Sequence, residues 1–598
     1  MPALELVDAS LRHGQQALLL SRLRRRHAVR AAELLDGCGF AALEVFGGAT
    51  VEAQLRFLGE DPFERLRALR QAAPRTPLMA TLAGQMLVGH RHLPDDVVEA
   101  FIRLAAQAGI AVFRLVDPLN DARNLAVAVG AAREAGARAE GVVVCTAAPA
   151  SDHAAVAAAL ARLGCDAVCL HDPVGSVGAR RAADLVEAVG GAAQLPVAVS
   201  FVAITGQAAL ACAAAARAGA VRADVCVSPL GGGASLPTAE QLIAGLAGTD
   251  VAPAAGLEPV LRVTQMLEEV SPLYAALIAP SLFRHDVAAL RGLVPLSAMG
   301  SGLAELRERG AMARLPDVEA EITRVRRELG DPPLVSPMPE MMTTQAVYNT
   351  FEGDRYATIT QEVKDYCMGL LGSPPGPIDP EVRSLVTGGE EPIAVRPADL
   401  LEPGLPRARE ELTRAGVRTD PEAAVLHALF GADLVALLRG DISAERLADE
   451  EQPSAAQAPV LAAADGAAGV EPPVAPPSDP TDQVRDLRVE VDGQTYEVRV
   501  FGAGPAATAP PGGFPAAAPA PAAAPRVTEG TVTAPMQGLI LKVTAKVGDR
   551  VEAGAVVAVL EAMKMQNDIT ASRSGTVVAV HVKAGDIVGP QAPILDIG

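Results

Sequence analysis

From residue 4 to about residue 250, short apolar runs alternate with longer runs in which apolar residues recur every three or four positions. The first kind reads as buried strand and the second as amphipathic helix. The predicted strands are Leu4–Ser10, Ala41–Phe46, Leu78–Leu82, Val112–Asp117, Gly141–Thr146, Ala167–His171, Pro196–Val202 and Ala223–Ser228. Between them lie helical patterns such as Asp61–Ala73, Asp95–Gly109 and Asp121–Gly136, opened by Asp and closed by a small residue, as helix capping requires. Eight strand-then-helix units predict a (β/α)8 TIM barrel, with a doubly wound open sheet as the alternative. Such barrels carry their active sites at the C-terminal ends of the strands. The polar residues there are Asp8, Arg12, His13 and Gln16 after the first strand, Glu44 at the second, Asp117 at the fourth, His171 and Asp172 at the sixth and Ser200 at the seventh.

After the barrel region, 1–255, residues 256–450 read as a mainly helical domain, with patterns at Leu257–Val270, Asp317–Leu329, Gln361–Leu371 and Pro421–Leu438. Residues 451–528 form an Ala/Pro-rich linker interrupted by a β-hairpin pattern at 486–501 around Asp492-Gly493. Within it, Ala503–Pro525 is Ala, Pro or Gly except for Thr508 and Phe514. Such a stretch has nothing to bury and acts as a semi-extended tether of at most ~3.1 Å per residue. Residues 529–598 repeat internally at an offset of 37: Ala534, Gly538, Val543, Lys546, Gly548, Asp549, Val551 and Ala555 recur as Ala571, Gly575, Val580, Lys583, Gly585, Asp586, Val588 and Ala592. Two similar all-β halves make a flattened, quasi-twofold barrel, and Glu561-Ala562-Met563-Lys564-Met565 falls between them.

Composition narrows the function classes. Of 598 residues, 50% are hydrophobic and 3% aromatic, which excludes a disordered chain. A net charge of −20 argues against nucleic acid as partner. The one basic cluster, Arg22, Arg24, Arg25, Arg26 and Arg30, has no interleaved aromatic and reads as a solvated helix face. Seven cysteines, an odd number without a CxxC, read as buried free thiols in a reducing compartment. The uncharged run Ala188–Ala216 is long enough to cross a bilayer, but its Gly, Pro and Gln residues fit a buried strand and helix better. No basic-then-apolar leader is present, so a cytoplasmic location is expected.

A lysine at the joint of two rigid β halves, on a long tether, suits a covalent swinging arm. Ala534-Pro535-Met536 together with Glu561-Ala562-Met563-Lys564-Met565 resembles the biotin attachment domain of biotin-dependent carboxylases; the related lipoyl domains usually carry Asp-Lys-Ala. Glu44–Thr50, Arg56–Arg67, Asp117–Asn124, Ser228–Gly233, Thr344-Gln345-Ala346 and Arg396–Leu401 resemble the carboxyltransferase region of the same family. Its members include the oxaloacetate decarboxylase alpha subunit, the B subunit of two-subunit pyruvate carboxylase and the transcarboxylase 5S subunit. The resemblance implies biotin bound covalently to Lys564 between Met563 and Met565, and a biotin protein ligase to attach it. It also implies a separate biotin carboxylase subunit or a decarboxylase membrane subunit as partner, a small acid such as pyruvate or oxaloacetate as acceptor, and a homo-oligomer. The domain order is closest to the decarboxylase alpha subunit.

Arg12, Gln16 and Thr344 match catalytic positions of that family, where the Thr shuttles a proton between biotin and the enolate. The metal positions do not match. The family binds a divalent ion through Asp, a carbamylated Lys and two His; here His13, His171, Ser200 and Val202 stand there, and Ala83 stands where an Arg holds the keto-acid carboxylate. A bound cation contributes several kcal/mol to enolate formation. The expectation is a barrel without the family's metal site and with little or no pyruvate chemistry. The alternatives are a rearranged zinc site of His13 and His171 with Asp8 or Asp172, a carrier whose silent barrel is a scaffold (a pseudoenzyme), or an aldol-type lyase needing the same histidine pair.

Overall fold

The computed structural model describes residues 3–291, 294–295, 298–352, 354–442, 484–491, 494–501, 531–534, 538–562, 565–571, 573–583, 586–588 and 592–598. The chain divides into two compact units, Met1–Pro453 and Ser454–Gly598.

In the first unit eight parallel strands close in sequence order into a barrel: β1 (Glu5–Asp8), β2 (Ala42–Gly47), β3 (Leu78–Leu82), β4 (Ile110–Leu115), β5 (Arg138–Val144), β6 (Ala167–Asp172), β7 (Val197–Phe201) and β8 (Arg222–Val225). Closure is direct, with Glu5 to Asp8 in register with Arg222 to Val225. The open-sheet alternative is thereby excluded. The apolar runs are buried on both faces, as strands in a parallel barrel must be; Leu78–Leu82 and Val197–Phe201 have no exposed residue. The helix starts follow capping chemistry. Asp61 accepts hydrogen bonds from the Phe63 and Glu64 amides and opens Pro62–Ala72. The pattern beginning at Asp121 splits into a 3-10 turn, Ala122–Leu125, and a helix, Ala126–Glu134. The long uncharged run is strand β7 between helices Ala179–Ala193 and Ala208–Arg217. Among the described residues no helix is long and apolar enough to cross a membrane.

The helical region packs in two places. Val260, Val263 and Leu267 of helix Leu257–Val270, with Leu412, Leu426 and Leu434 further on, join the core around the barrel. Residues between, from Ala289 to Val386, build a second core. That core also takes in Met86, Leu119 and Val174 from the loops after β3, β4 and β6, so it caps the C-terminal end of the barrel. The predicted helix Pro421–Leu438 is two helices, Pro421–Phe430 and Ala432–Arg439. Gly431, at φ 52° and ψ −120°, turns the chain between them, a backbone conformation open chiefly to glycine.

In the second unit Val484–Val491 and Gln494–Phe501 pair as an antiparallel hairpin; Asp492 and Gly493 lie outside the described residues, as do the linker stretches on either side, including the tether Ala503–Pro525. The remaining strands form two four-stranded sheets. The internal repeat maps one sheet onto the other: Gly538–Val543 corresponds to Gly575–Val580, Arg550–Val551 to Ile587–Val588, and Val556–Ala562 to Pro593–Ile597. Each short repeat strand pairs in the opposite sheet, Arg550–Val551 with Gly575–Val580 and Ile587–Val588 with Gly538–Val543. This exchange produces the quasi-twofold barrel. Ile540, Val557, Leu560, Ile594 and Leu595 fill its core.

Candidate active site at the barrel mouth

Strand β1 ends in Asp8, fully buried, whose carboxylate accepts from the Ser10 amide at 3.2 Å and the Ser10 hydroxyl at 2.8 Å. Burial pushes its pKa up to about 7. One π-type turn, Ser10–Gly14, then carries Arg12 and His13 over the barrel end and leads into helix Gln15–Leu19, which carries Gln16. Such turns recur at functional sites because they redirect side chains. Arg12 Nη1 lies 3.5 Å from the Glu44 carboxylate at the end of β2, and Glu44 also accepts from the Thr81 hydroxyl of β3. Gly48, at φ 56°, lets the β2 exit pass close above them: a Cβ there would stand 2.8 Å from Gln16 Oε1 and 3.0 Å from Arg12 Nη2. Arg12 Nε, His13 Nε2 and Gln16 Oε1 are enclosed atoms with no hydrogen-bond partner among the described residues.

At the end of β6, His171 Nδ1 lies 3.0 Å from the Ser200 carbonyl oxygen. A carbonyl can only accept, so Nδ1 carries the proton and Nε2 of the neutral ring is a bare acceptor. Burial, with the neighbouring His13 and Arg114, pushes the His171 pKa down to about 3; burial and Arg12 do the same for His13. Both shifts favour the neutral ring.

The acidic residues at the mouth organise loops. Asp172 accepts from the Val174 and Val177 amides at 3.2 and 2.6 Å and from the Ser176 hydroxyl at 3.4 Å. Asp117 accepts from the Leu119 and Asp121 amides at 2.9 and 2.7 Å and from Asn124 Nδ2 at 2.9 Å. Burial raises these pKa values to about 6 and about 7. Val202 sits in an apolar cluster with Ala9, Ile204, Cys226 and Leu236. Among the described residues no three His, Cys, Asp or Glu side chains are grouped to hold a metal. The four positions His13, His171, Ser200 and Val202 therefore do not fit the divalent ion of the resembled family. Neither Asp8 nor Asp172 is grouped with His13 and His171 among the described residues, as the rearranged zinc site would need.

Thr344 is half-buried on helix Met338–Phe351 in the capping layer. That helix contributes Met338, Met341, Met342 and Ala346 to the core shared with the loop residues Met86, Leu119 and Val174. Its neighbour Gln345 has a structural role, donating to Asn349 Oδ1 and the Thr358 carbonyl and accepting from the Thr360 amide. The Arg396 motif is a latch: its guanidinium pairs with Asp95 at 2.6 Å and Asp399 at 2.8 Å. Met563 and Lys564 lie outside the described residues; the strands on either side pair antiparallel through Ala562 and Met565.

Sequence reasoning missed a buried ion network. Arg114 of β4 pairs with Glu140 of β5 at 2.6 Å and with Asp224 of β8, and Arg222 reaches Glu140 at 2.9 Å. Arg114, Glu140 and Asp224 are almost wholly buried. The one signal in the sequence was a charge inside each of three strands.

An eightfold barrel with a capped polar mouth, joined to a quasi-twofold β domain with a lysine between its halves, defines a biotin-dependent carboxyltransferase subunit. Comparison with known proteins agrees. The family model of a conserved carboxylase domain matches residues 295–497, and that of biotin-requiring enzymes matches residues 530–597. The chain is 36% identical to the pyruvate carboxylase B subunit of Methanothermobacter thermautotrophicus, over 95% of each chain. It is 33% identical to the 2-oxoglutarate carboxylase large subunit of Hydrogenobacter thermophilus, over 95% of this chain and 90% of the relative. The carboxyl transferase domain of Rhizobium etli pyruvate carboxylase, solved with oxamate and biotin, superposes with a TM-score of 0.70 at 26% identity, covering 74% of this chain and 78% of that one. The chain belongs to the family of pyruvate carboxylase B subunits, whose members transfer a carboxyl group between biotin and an acceptor.

Proposed function

We propose that Lys564 carries the biotin and that the chain works in the cytoplasm with a separate biotin carboxylase subunit, which charges the biotin with carboxylate. The single observation that carries this reading is the match of residues 530–597 to biotin-requiring enzymes, with Glu561–Met565 falling where two paired strands meet. The relatives that are themselves one of two pyruvate carboxylase chains support the separate partner; the seven buried free thiols support the compartment.

In this reading the tether brings Met563-Lys564-Met565 to the barrel mouth. Arg12 and Gln16 hold the acceptor, and Thr344 passes a proton between acceptor and biotin. No step is assigned to a metal, because the donor set does not fit one. The acceptor is a small acid, and oligomerisation through copies of this chain belongs to the same proposal. Streptavidin blotting of the chain expressed with biotin protein ligase tests it: the wild type is labelled and Lys564→Arg is not. An unlabelled wild type ends the reading.

One observation favours a second reading, a carrier whose barrel is a scaffold: the metal positions hold Ser200 and an apolar-packed Val202. Carboxylated biotin that the barrel never discharges, with any small acid offered, would select it.

A further inference from the structure

In metal-dependent enolisation the substrate brings a keto oxygen, which can only accept, and the enzyme supplies the positive charge. The polar atoms at this mouth have a different balance. His171 Nε2 is an acceptor, because Nδ1 is committed to the Ser200 carbonyl at 3.0 Å. Gln16 Oε1 is a second acceptor, enclosed and without a partner. His13 Nε2 is likewise enclosed and unpartnered. The donors come from Arg12, whose Nε has no partner and whose Nη2 lies under Gly48, while only Nη1 approaches Glu44. Arg114 is already matched by Glu140 and Asp224 and offers no free charge.

We infer that the barrel mouth binds, without a metal, a small carboxylate whose neighbouring group is a hydrogen-bond donor, a hydroxyl or N–H, in place of a keto oxygen. The carboxylate meets Arg12, and the donor meets His171 Nε2 and Gln16 Oε1. A keto oxygen in that place would face the His171 Nε2 lone pair and leave the enclosed Gln16 Oε1 unpaired, and an unpaired buried polar group costs about 1–3 kcal/mol. The inference rests on the reading of the barrel as the acceptor site and names the class of acceptor.

L-lactate and pyruvate are the probes, since they share a carbon skeleton and differ in hydroxyl against keto oxygen. Titration calorimetry of the full biotinylated chain in excess EDTA is expected to show lactate binding at least about tenfold tighter, the equivalent of ~1.4 kcal/mol. His171→Phe, with its fold checked by circular dichroism and its biotin by streptavidin blot, is expected to level the two affinities. The inference is overturned by pyruvate binding as tightly as lactate, by neither binding, or by binding that appears only after zinc or manganese is added. Failure of the acceptor-site reading shows separately, as carboxylated biotin that the barrel never discharges with any small acid offered, so the two outcomes are distinguishable.

Discussion

Arg114 is a permanent charge in a barrel interior, held by Glu140 and Asp224 from two other strands. Removing one member of such a set leaves buried charge uncompensated, which costs about 3–5 kcal/mol. Arg114→Met is therefore expected to destabilise the barrel by that order in urea denaturation, whereas Arg180→Met, with its exposed partner Asp184, is expected to change stability by less than about 1 kcal/mol. The buried acids fix a pH dependence. Asp8 and Asp117 have folded pKa values of about 7 against 3.8 unperturbed. Between those values the folded chain holds protons that the unfolded chain releases, so their contribution to stability falls as pH rises from about 4 to about 7. Unfolding of Asp8→Asn at pH 5 and pH 8 is expected to show a smaller loss across that interval than wild type. The network escaped sequence reading for a physical reason: Arg114 is 26 residues from Glu140 and 110 from Asp224, and no local pattern links them.

At the scale of elements, barrel strands were legible because burial on both faces leaves near-continuous apolar runs, and helix starts because Asp61 and its like must satisfy free amides. The break at Gly431 was hidden because the apolar pattern runs through it, and only the tertiary turn demands its conformation. The exit of β2 is the most constrained element at the site. Gly47 has φ 121°, and a Cβ there would stand 1.9 Å from the Thr81 carbonyl oxygen. Gly47→Ala must move the β2–β3 pairing that holds Glu44 and Thr81, and strain in such a conformation alone costs about 1–3 kcal/mol. A lowered thermal midpoint together with weakened ligand binding at the mouth is the expected outcome; an unchanged midpoint would contradict the tight approach. The replaced metal positions were readable from the sequence as substitutions. Their consequence needed the structure, in which no three His, Cys, Asp or Glu side chains among the described residues are grouped to hold a metal.

For the whole molecule, the architecture follows from two repeats of very different scale, eight strand–helix units and two β halves offset by 37 residues. The second makes the terminal domain's quasi-twofold symmetry legible in the sequence, since each half supplies equivalent strands to the two sheets. Within the second unit, the sequence between the hairpin and the C-terminal β domain includes Ala503–Pro525, whose composition suits a spacer of ~3.1 Å per residue. Deleting it is expected to leave Lys564 biotinylated and to cut carboxyl transfer several-fold, read as the rate at which charged biotin is discharged; an unchanged rate would remove the tether from the account. The central claim is that this chain carries carboxylate on Lys564 for a partner and delivers it to an acceptor. Incubating the biotinylated chain with a biotin carboxylase subunit, ATP and radiolabelled bicarbonate tests it most directly. The account predicts label on the wild-type chain and none on Lys564→Arg; a fully biotinylated wild type that stays unlabelled, or label that persists in Lys564→Arg, would contradict it.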